Sequence, residues 1–171
     1  MRRGLGESWL VAAVALAASV TACGGDDTAG SGTDFVENIQ ASIEAVEAER
    51  GPGQDFFEVT ATPQLANVFV AIDDATSAVP YVYLDGELEP PAPALSGVSG
   101  FTFVADQIEF DESAILSQIA EEVPDSTIES LSVEGGQDGT VRYVASVRSA
   151  AGGYLDVTVS PDGAVMAVDP V

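Results

Sequence analysis

The chain has 171 residues, 28 acidic against 5 basic, a net charge of −23, no lysine, no histidine and one cysteine. Such a surface repels nucleic acid and anionic headgroups, because both are bound through Lys and Arg, so DNA, RNA and polybasic membrane recognition are excluded. An apolar fraction of 46% argues against disorder for most of the chain despite its charge.

At the start, Arg2 and Arg3 precede the uncharged stretch WLVAAVALAASV (residues 9–20), a length that suits the apolar core of an export signal. A spanning helix needs roughly 20 apolar residues, and this stretch stops short of that. Val20-Thr21-Ala22-Cys23 resembles the lipobox of bacterial lipoproteins, with an apolar residue and two small ones before a cysteine. The resemblance implies cleavage before Cys23, a lipidated Cys23 thiol and an anchor in the outer leaflet of the cell membrane, on its extracytoplasmic face. A lone cysteine has no partner for an internal disulfide, and a free thiol on an exported chain is a liability; lipidation removes both problems. Each buried CH₂ contributes roughly 0.8 kcal/mol, and two or more acyl chains hold a domain stably at a membrane. Residues 1–22 are therefore read as a lipoprotein signal peptide, and residues 23–33 as a Gly/Ser/Asp-rich tether spanning roughly 15 to 20 Å.

The first folded unit is expected over residues 34–88. Asp34 reads as a helix N-cap with Glu37 three residues on, Val36, Ile39, Ile43 and Val46 form an apolar stripe, and Arg50-Gly51-Pro52 supplies the stop. Strand-like runs follow at FFEVTA (56–61), LANVFVAI (65–72) and VPYVYL (79–84), the last closed by Asp85-Gly86, giving a small antiparallel sheet with one face over the helix. The Pro-rich segment 89–99 then breaks the pattern and reads as a connector.

A similar order recurs over residues 100–171. After the short run GFTFVA, Asp111 is expected to cap a second helix with Ile115, Leu116, Ile119 and Ala120 inward, ended by Pro124. Strands are predicted at 128–134, 140–148, 154–160 and 164–168, with turns at Gln137-Asp138-Gly139, Ala151-Gly152-Gly153 and Ser160-Pro161-Asp162-Gly163. The halves superimpose at an offset of about 75 residues, which places Ile39/Ile43 on Ile115/Ile119, Val59 on Val133 and Phe69 on Tyr143. The expected fold is thus α+β, with two helix-plus-antiparallel-sheet units in tandem, as one compact domain or two similar subdomains.

In DESAILSQIAEEVP, TVRYVASVRSAAGGYLDVTV and SPDGAVMAV the second half resembles PepSY-type domains of exported bacterial proteins. That resemblance implies a non-enzymatic envelope module that binds or regulates a neighbouring envelope protein, and it carries over no functional residues. A rival resemblance is to the lipid-carrier lipoproteins of mycobacteria, which place a helix-backed half-barrel behind a lipobox and imply an apolar cavity for a lipid or small molecule.

Chemistry is limited by what is missing. Without histidine, lysine or a free cysteine there is no Ser-His-Asp or Cys-His arrangement, no Lys nucleophile and no usual zinc set, so neither enzymatic activity nor a cofactor is expected. Carboxylate pairs can hydrolyse glycosides, but 27 acids spread along the mature chain make any one pair uninformative. Calcium would draw on Asp73-Asp74 or on Asp106, Glu109, Asp111 and Glu112, yet neither stretch has the D-x-[DN]-x-[DN]-G spacing; turn and helix-cap roles explain them as well. Arg142 and Arg148 lie on one face of a strand, as docking points for an acidic group or as partners of neighbouring carboxylates. Tyr81 and Tyr83 alternate with Val82 and Leu84, so one pair or the other faces outward; tyrosines facing out would offer a partner surface, and the commoner role for them is the rim of the core.

Overall fold

The computed structural model describes residues 32–109 and 112–171; the leader, Cys23 and Asp111 lie outside them. The first helix, α1 (Gly32–Arg50), begins two residues before Asp34, so the expected cap is a position inside the first turn and the tether is correspondingly shorter. Its stripe is as read: Val36, Ile39, Ile43 and Val46 are buried, and Phe35 joins them. The helix ends where Gly51 takes a φ of 99° and its N–H closes on the Glu47 carbonyl, a left-handed exit that suits glycine.

Strands β1 (Phe56–Ala61), β2 (Leu65–Ile72) and β3 (Ser77–Leu84) follow as an antiparallel meander, the first two with the bounds that their alternation predicts. Two-residue strands β4 (Glu87–Leu88) and β5 (Leu95–Ser96) then both pair with β3. After α2 (Glu112–Glu122) come β6 (Ser126–Gly135), β7 (Val141–Ser149), β8 (Tyr154–Val159) and β9 (Val165–Pro170). All nine strands belong to one antiparallel sheet in the order β4-β3-β2-β1-β6-β7-β8-β9, with β5 beside β3.

Of the two expected forms, one compact domain or two similar subdomains, the structure has the first: the molecule is a single α+β domain. The first and second halves meet at β1 and β6, where Val59 lies directly opposite Val133 and Ala61 opposite Leu131. Both helices cover the same face of the sheet, and one cluster holds Ile39, Ile43, Ile115 and Ile119 together with Val59, Val68, Val133, Tyr143 and Val157. Neither half has an apolar face to itself, since α1 packs on β6 of the other half as well as against α2; burial of this continuous face is the main favourable term. Ile115 and Ile119 point inward as expected, but Ala120 is exposed, because α2 touches the sheet along a narrow line and position 120 falls outside it.

The Pro-rich segment is a further correction to a plain connector. Beside β4 and β5, the Glu89 N–H donates to the Val82 carbonyl, the Ala92 N–H to the Pro80 carbonyl at 2.9 Å, and the Gly97 N–H to the Thr76 carbonyl at 3.0 Å. Residues 87–97 therefore run as an interrupted strand along β3. Prolines are tolerated there because an edge segment needs donors on one side only. The expected run GFTFVA is not a strand; it makes a single bridge in which Phe103 and Phe56 exchange N–H···O=C bonds at 2.8 and 2.9 Å, and the Phe103 ring packs 5.7 Å from that of Phe56.

Candidate functional site

The α1 N-terminus and the β1–β2 turn share one end of the sheet, since Asn38 donates its side-chain N–H to the Thr62 carbonyl at 2.9 Å. At the opposite end β1 begins, β6 stops and β7 begins. There the chain crosses from the open face of the sheet to the helix-covered face, passing over Gly135. A Cβ on Gly135 would stand 2.3 Å from the Phe101 carbonyl oxygen and 2.7 Å from the Thr102 nitrogen, so only glycine admits this crossing.

The crossing divides the open face into two adjoining grooves. One, of about 470 Å³, lies between the edge segment and the sheet, with Phe57, Phe69, Leu95, Val98 and Phe101 on its walls and Glu58, Glu134 and Arg142 along its floor. The other, of about 600 Å³, runs from Phe101 past Arg142 and Thr158 to Pro161 and Met166. Phe101, 55% exposed, stands between them. Both grooves open to solvent; neither is the closed apolar cavity that a carrier would need.

The polar floor follows from strand register. Glu58 faces Glu134 across β1 and β6, and Glu134 faces Arg142 across β6 and β7, so the residues form a carboxylate-carboxylate-guanidinium row. Arg142 forms an ion pair with Glu134, while Glu58 accepts a hydrogen bond from the Thr60 hydroxyl at 2.5 Å, which leaves the row with excess negative charge. Like charges directly opposite destabilise a sheet, and one guanidinium offsets one of the two.

Other candidates from the sequence fall into place around this. Arg148 pairs with Glu129 at 2.6 Å, so both strand arginines hold carboxylates of the neighbouring strand instead of serving as docking points. Tyr81 is buried against α1, where its hydroxyl meets Glu49 at 3.3 Å and Arg50 at 3.2 Å, and Tyr83 packs on the same core, so the tyrosines face inward and the core-rim reading holds. Asp73 and Asp74 form the β2–β3 turn with Ala75 at φ values of 53°, 53° and 58°. Asp106 and Glu109 precede α2 as exposed residues, and the Asp111 and Glu112 side chains lie outside the described set. Among the described residues no three carboxylates gather to hold a metal ion.

Among the described residues two titrating groups are perturbed. Burial pushes the Tyr143 phenol above its usual range, partly countered by its hydrogen bond with Glu109. The Ser160 hydroxyl lowers the Asp162 carboxyl by donating to it in the β8–β9 turn. Sequence reasoning missed Phe101, Leu95 and Met166 as site residues, because Phe101 and Leu95 lie in irregular segments and Met166 in a predicted strand, and only the finished sheet brings them to the grooves. Gly135-Gly136 at the end of an alternating strand was the available signal, since paired glycines there mark a close backbone approach.

No family model matches the chain, and no curated protein or solved structure is similar to it at a significant level. Among the described residues no helix is long and apolar enough to cross a membrane.

Proposed function

We propose that this chain is an exported lipoprotein, anchored through Cys23 on the extracytoplasmic face of the cell membrane, whose folded domain is a non-enzymatic interaction module for an envelope protein. The observation that carries this reading is the open double groove around Phe101, an apolar wall beside an acidic floor at the end of the sheet remote from the start of α1. The PepSY-like pattern of the second half supports the same class of function. The tether enters at the other end of the domain, so a membrane-held molecule can turn the groove outward. Domain acidity keeps it off anionic headgroups.

The recurrence of helix and meander reads as a duplication. A two-fold axis between antiparallel strands must pass between equivalent residues, and Val59 and Val133, equated by the sequence offset, are such a facing pair.

The test has two parts. Cys23→Ser should move the protein from the membrane fraction to the soluble one, and unchanged partitioning would sink the anchor. A photo-crosslinking residue at Phe101 should give a discrete adduct in intact cells, while the same residue at Glu44, exposed on the outer side of α1, should give none; equal labelling at both would remove the groove from the reading.

A further inference from the structure

The sheet has two edges, and among the described residues only one is covered. Along β3 the donors and acceptors are met by β4, β5 and the bonds from Glu89, Ala92 and Gly97. Along β9 no described residue pairs on the outer side.

The hydrogen-bonding phase of that edge can be fixed. The Val171 N–H donates to the Tyr154 carbonyl at 3.1 Å, and the register places Asp156 opposite Asp169 and Val157 opposite Val168. Antiparallel ladders alternate, so Asp169 turns its backbone groups toward β8 and Val168 turns its N–H and C=O outward. The strand is bounded by a bulge at Thr158/Val159 on one side and by Pro170, which has no N–H, on the other. An added strand would find a short window centred on Val168.

Side chains at this edge make a second point. Of the six large apolar residues exposed among the described residues, Tyr154, Met166, Val168 and Val171 lie on β8, β9 or the end of the chain, and Met166 is 69% exposed. Val168 shares the core face of its neighbour Val157, so an apolar residue set beside it would extend the core outward. Asp169 shares the opposite face with Asp156, two like charges directly across from each other without an ion pair to any described residue. A residue opposite Asp169 on a new strand would sit in a non-hydrogen-bonded pair, with Cα atoms about 4.5 Å apart and side chains at their closest. A cation there relieves the repulsion.

We propose that the β9 edge receives an extended segment of the partner as a further strand, one in which apolar residues alternate with Lys or Arg. The proposal rests on the interaction-module reading. Charge chooses the occupant: a second copy would bring another −23, whereas a basic segment complements the facing pair Asp156 and Asp169 and the net negative charge of the chain.

The test uses the full chain in neutral detergent and two blocked octapeptides as probes: alternating Val and Lys, and the same peptide with Pro replacing Val, which keeps the charge and loses the donors. The alternating peptide should slow exchange of the Val168 amide at least tenfold, and the proline peptide should leave it unchanged. Val168→Pro, which breaks no internal hydrogen bond, should weaken the alternating peptide at least tenfold. Asp169→Lys, at an exposed position, should shift preference to a Val/Glu peptide, which keeps the idea testable if the proline variant folds poorly. Equal binding of both lysine peptides would mean charge adsorption alone and overturn the proposal. So would a dimer of the free chain that Val168→Pro dissociates, since the edge would then belong to a second copy. Failure of these tests with the Phe101 adduct intact would overturn edge pairing and leave the module reading standing; loss of the adduct as well would overturn both.

Discussion

The β3 and β9 sides of one sheet handle the same hazard in opposite ways. An open strand edge is a template for another strand, and proteins blunt it with prolines, charge or a covering segment. On the β3 side the chain spends eleven residues, 87–97, on a cover that is itself proline-rich, so the new edge it creates at Pro90, Pro91 and Pro93 is poor in donors. On the β9 side no described residue pairs with Val168, which lies between a bulge and Pro170. The difference shows that an edge becomes available by the position and phase of its free donors.

The largest effect is expected where the cover is pinned at its far end. Gly135→Ala places a methyl against the backbone of Phe101 and Thr102, which cannot rotate away as a side chain would. Overpacking of this kind costs about 1 to 3 kcal/mol, and the upper end is expected here. The denaturation midpoint should fall, and amides at 89, 92 and 97 should lose protection together as the segment lifts. An unchanged midpoint would show that the crossing is loose.

A proline scan sharpens the contrast between edges. Ala92→Pro deletes the bond to the Pro80 carbonyl and should cost about 1 kcal/mol. Val168→Pro deletes an outward N–H with no partner in the domain and should leave the midpoint nearly unchanged. If the two cost the same, the assignment of inward and outward groups on β9 is wrong.

Much of this architecture was legible in the sequence, and the illegible part has a common cause. The alternation of Val59 with Ala61, or of Val68 with Val70, identifies strands and their inward faces from neighbours alone, and so does the spacing of Ile39, Ile43 and Val46 on α1. That β1 pairs with β6, some 70 residues away, depends on which two meanders meet in space, and no local pattern holds that information. The edge role of residues 87–97 was hidden for a related reason: three prolines argue against a central strand, and only the finished sheet shows that β3 is an edge there. Phe101 and Met166 become a site through the same distant arrangement.

The half of the molecule that ends in β9 has its own fastening. The Tyr143 hydroxyl donates to the Glu109 carbonyl at 2.7 Å and accepts from the Glu109 N–H at 3.0 Å, tying the segment before α2 to β7. Burial raises this phenol's pKa, so the folded state holds the proton more tightly than the unfolded chain. The associated stability is fully present below the unfolded value near 10 and is lost as pH rises through the folded one. Phenolate absorbance should show the Tyr143 phenol titrating late and together with unfolding. Tyr143→Phe should cost about 1 kcal/mol at neutral pH and remove that late step. A late step that survives in the variant would assign it to another tyrosine.

The smallest effect concerns the hairpins on the two sides. The β7–β8 turn reaches its positive φ values with Gly152 at 89° and Gly153 at 92°, where no Cβ is strained. The β2–β3 turn does so with Asp73, Asp74 and Ala75. Aspartate tolerates the left-handed region because its short carboxylate bonds locally, but alanine has no such recourse and pays roughly 1 kcal/mol there. Ala75→Gly relieves that strain and loses part of the gain to the greater freedom of glycine in the unfolded chain, for a net stabilisation of about 0.5 kcal/mol. Gly152→Ala should move the midpoint the other way by about 1 kcal/mol, even though a Cβ there meets nothing within 4 Å, because its cost is torsional. Opposite signs at the two corners would show that the β3-side hairpin carries the strain; equal signs would place the Ala75 conformation outside the left-handed region in solution.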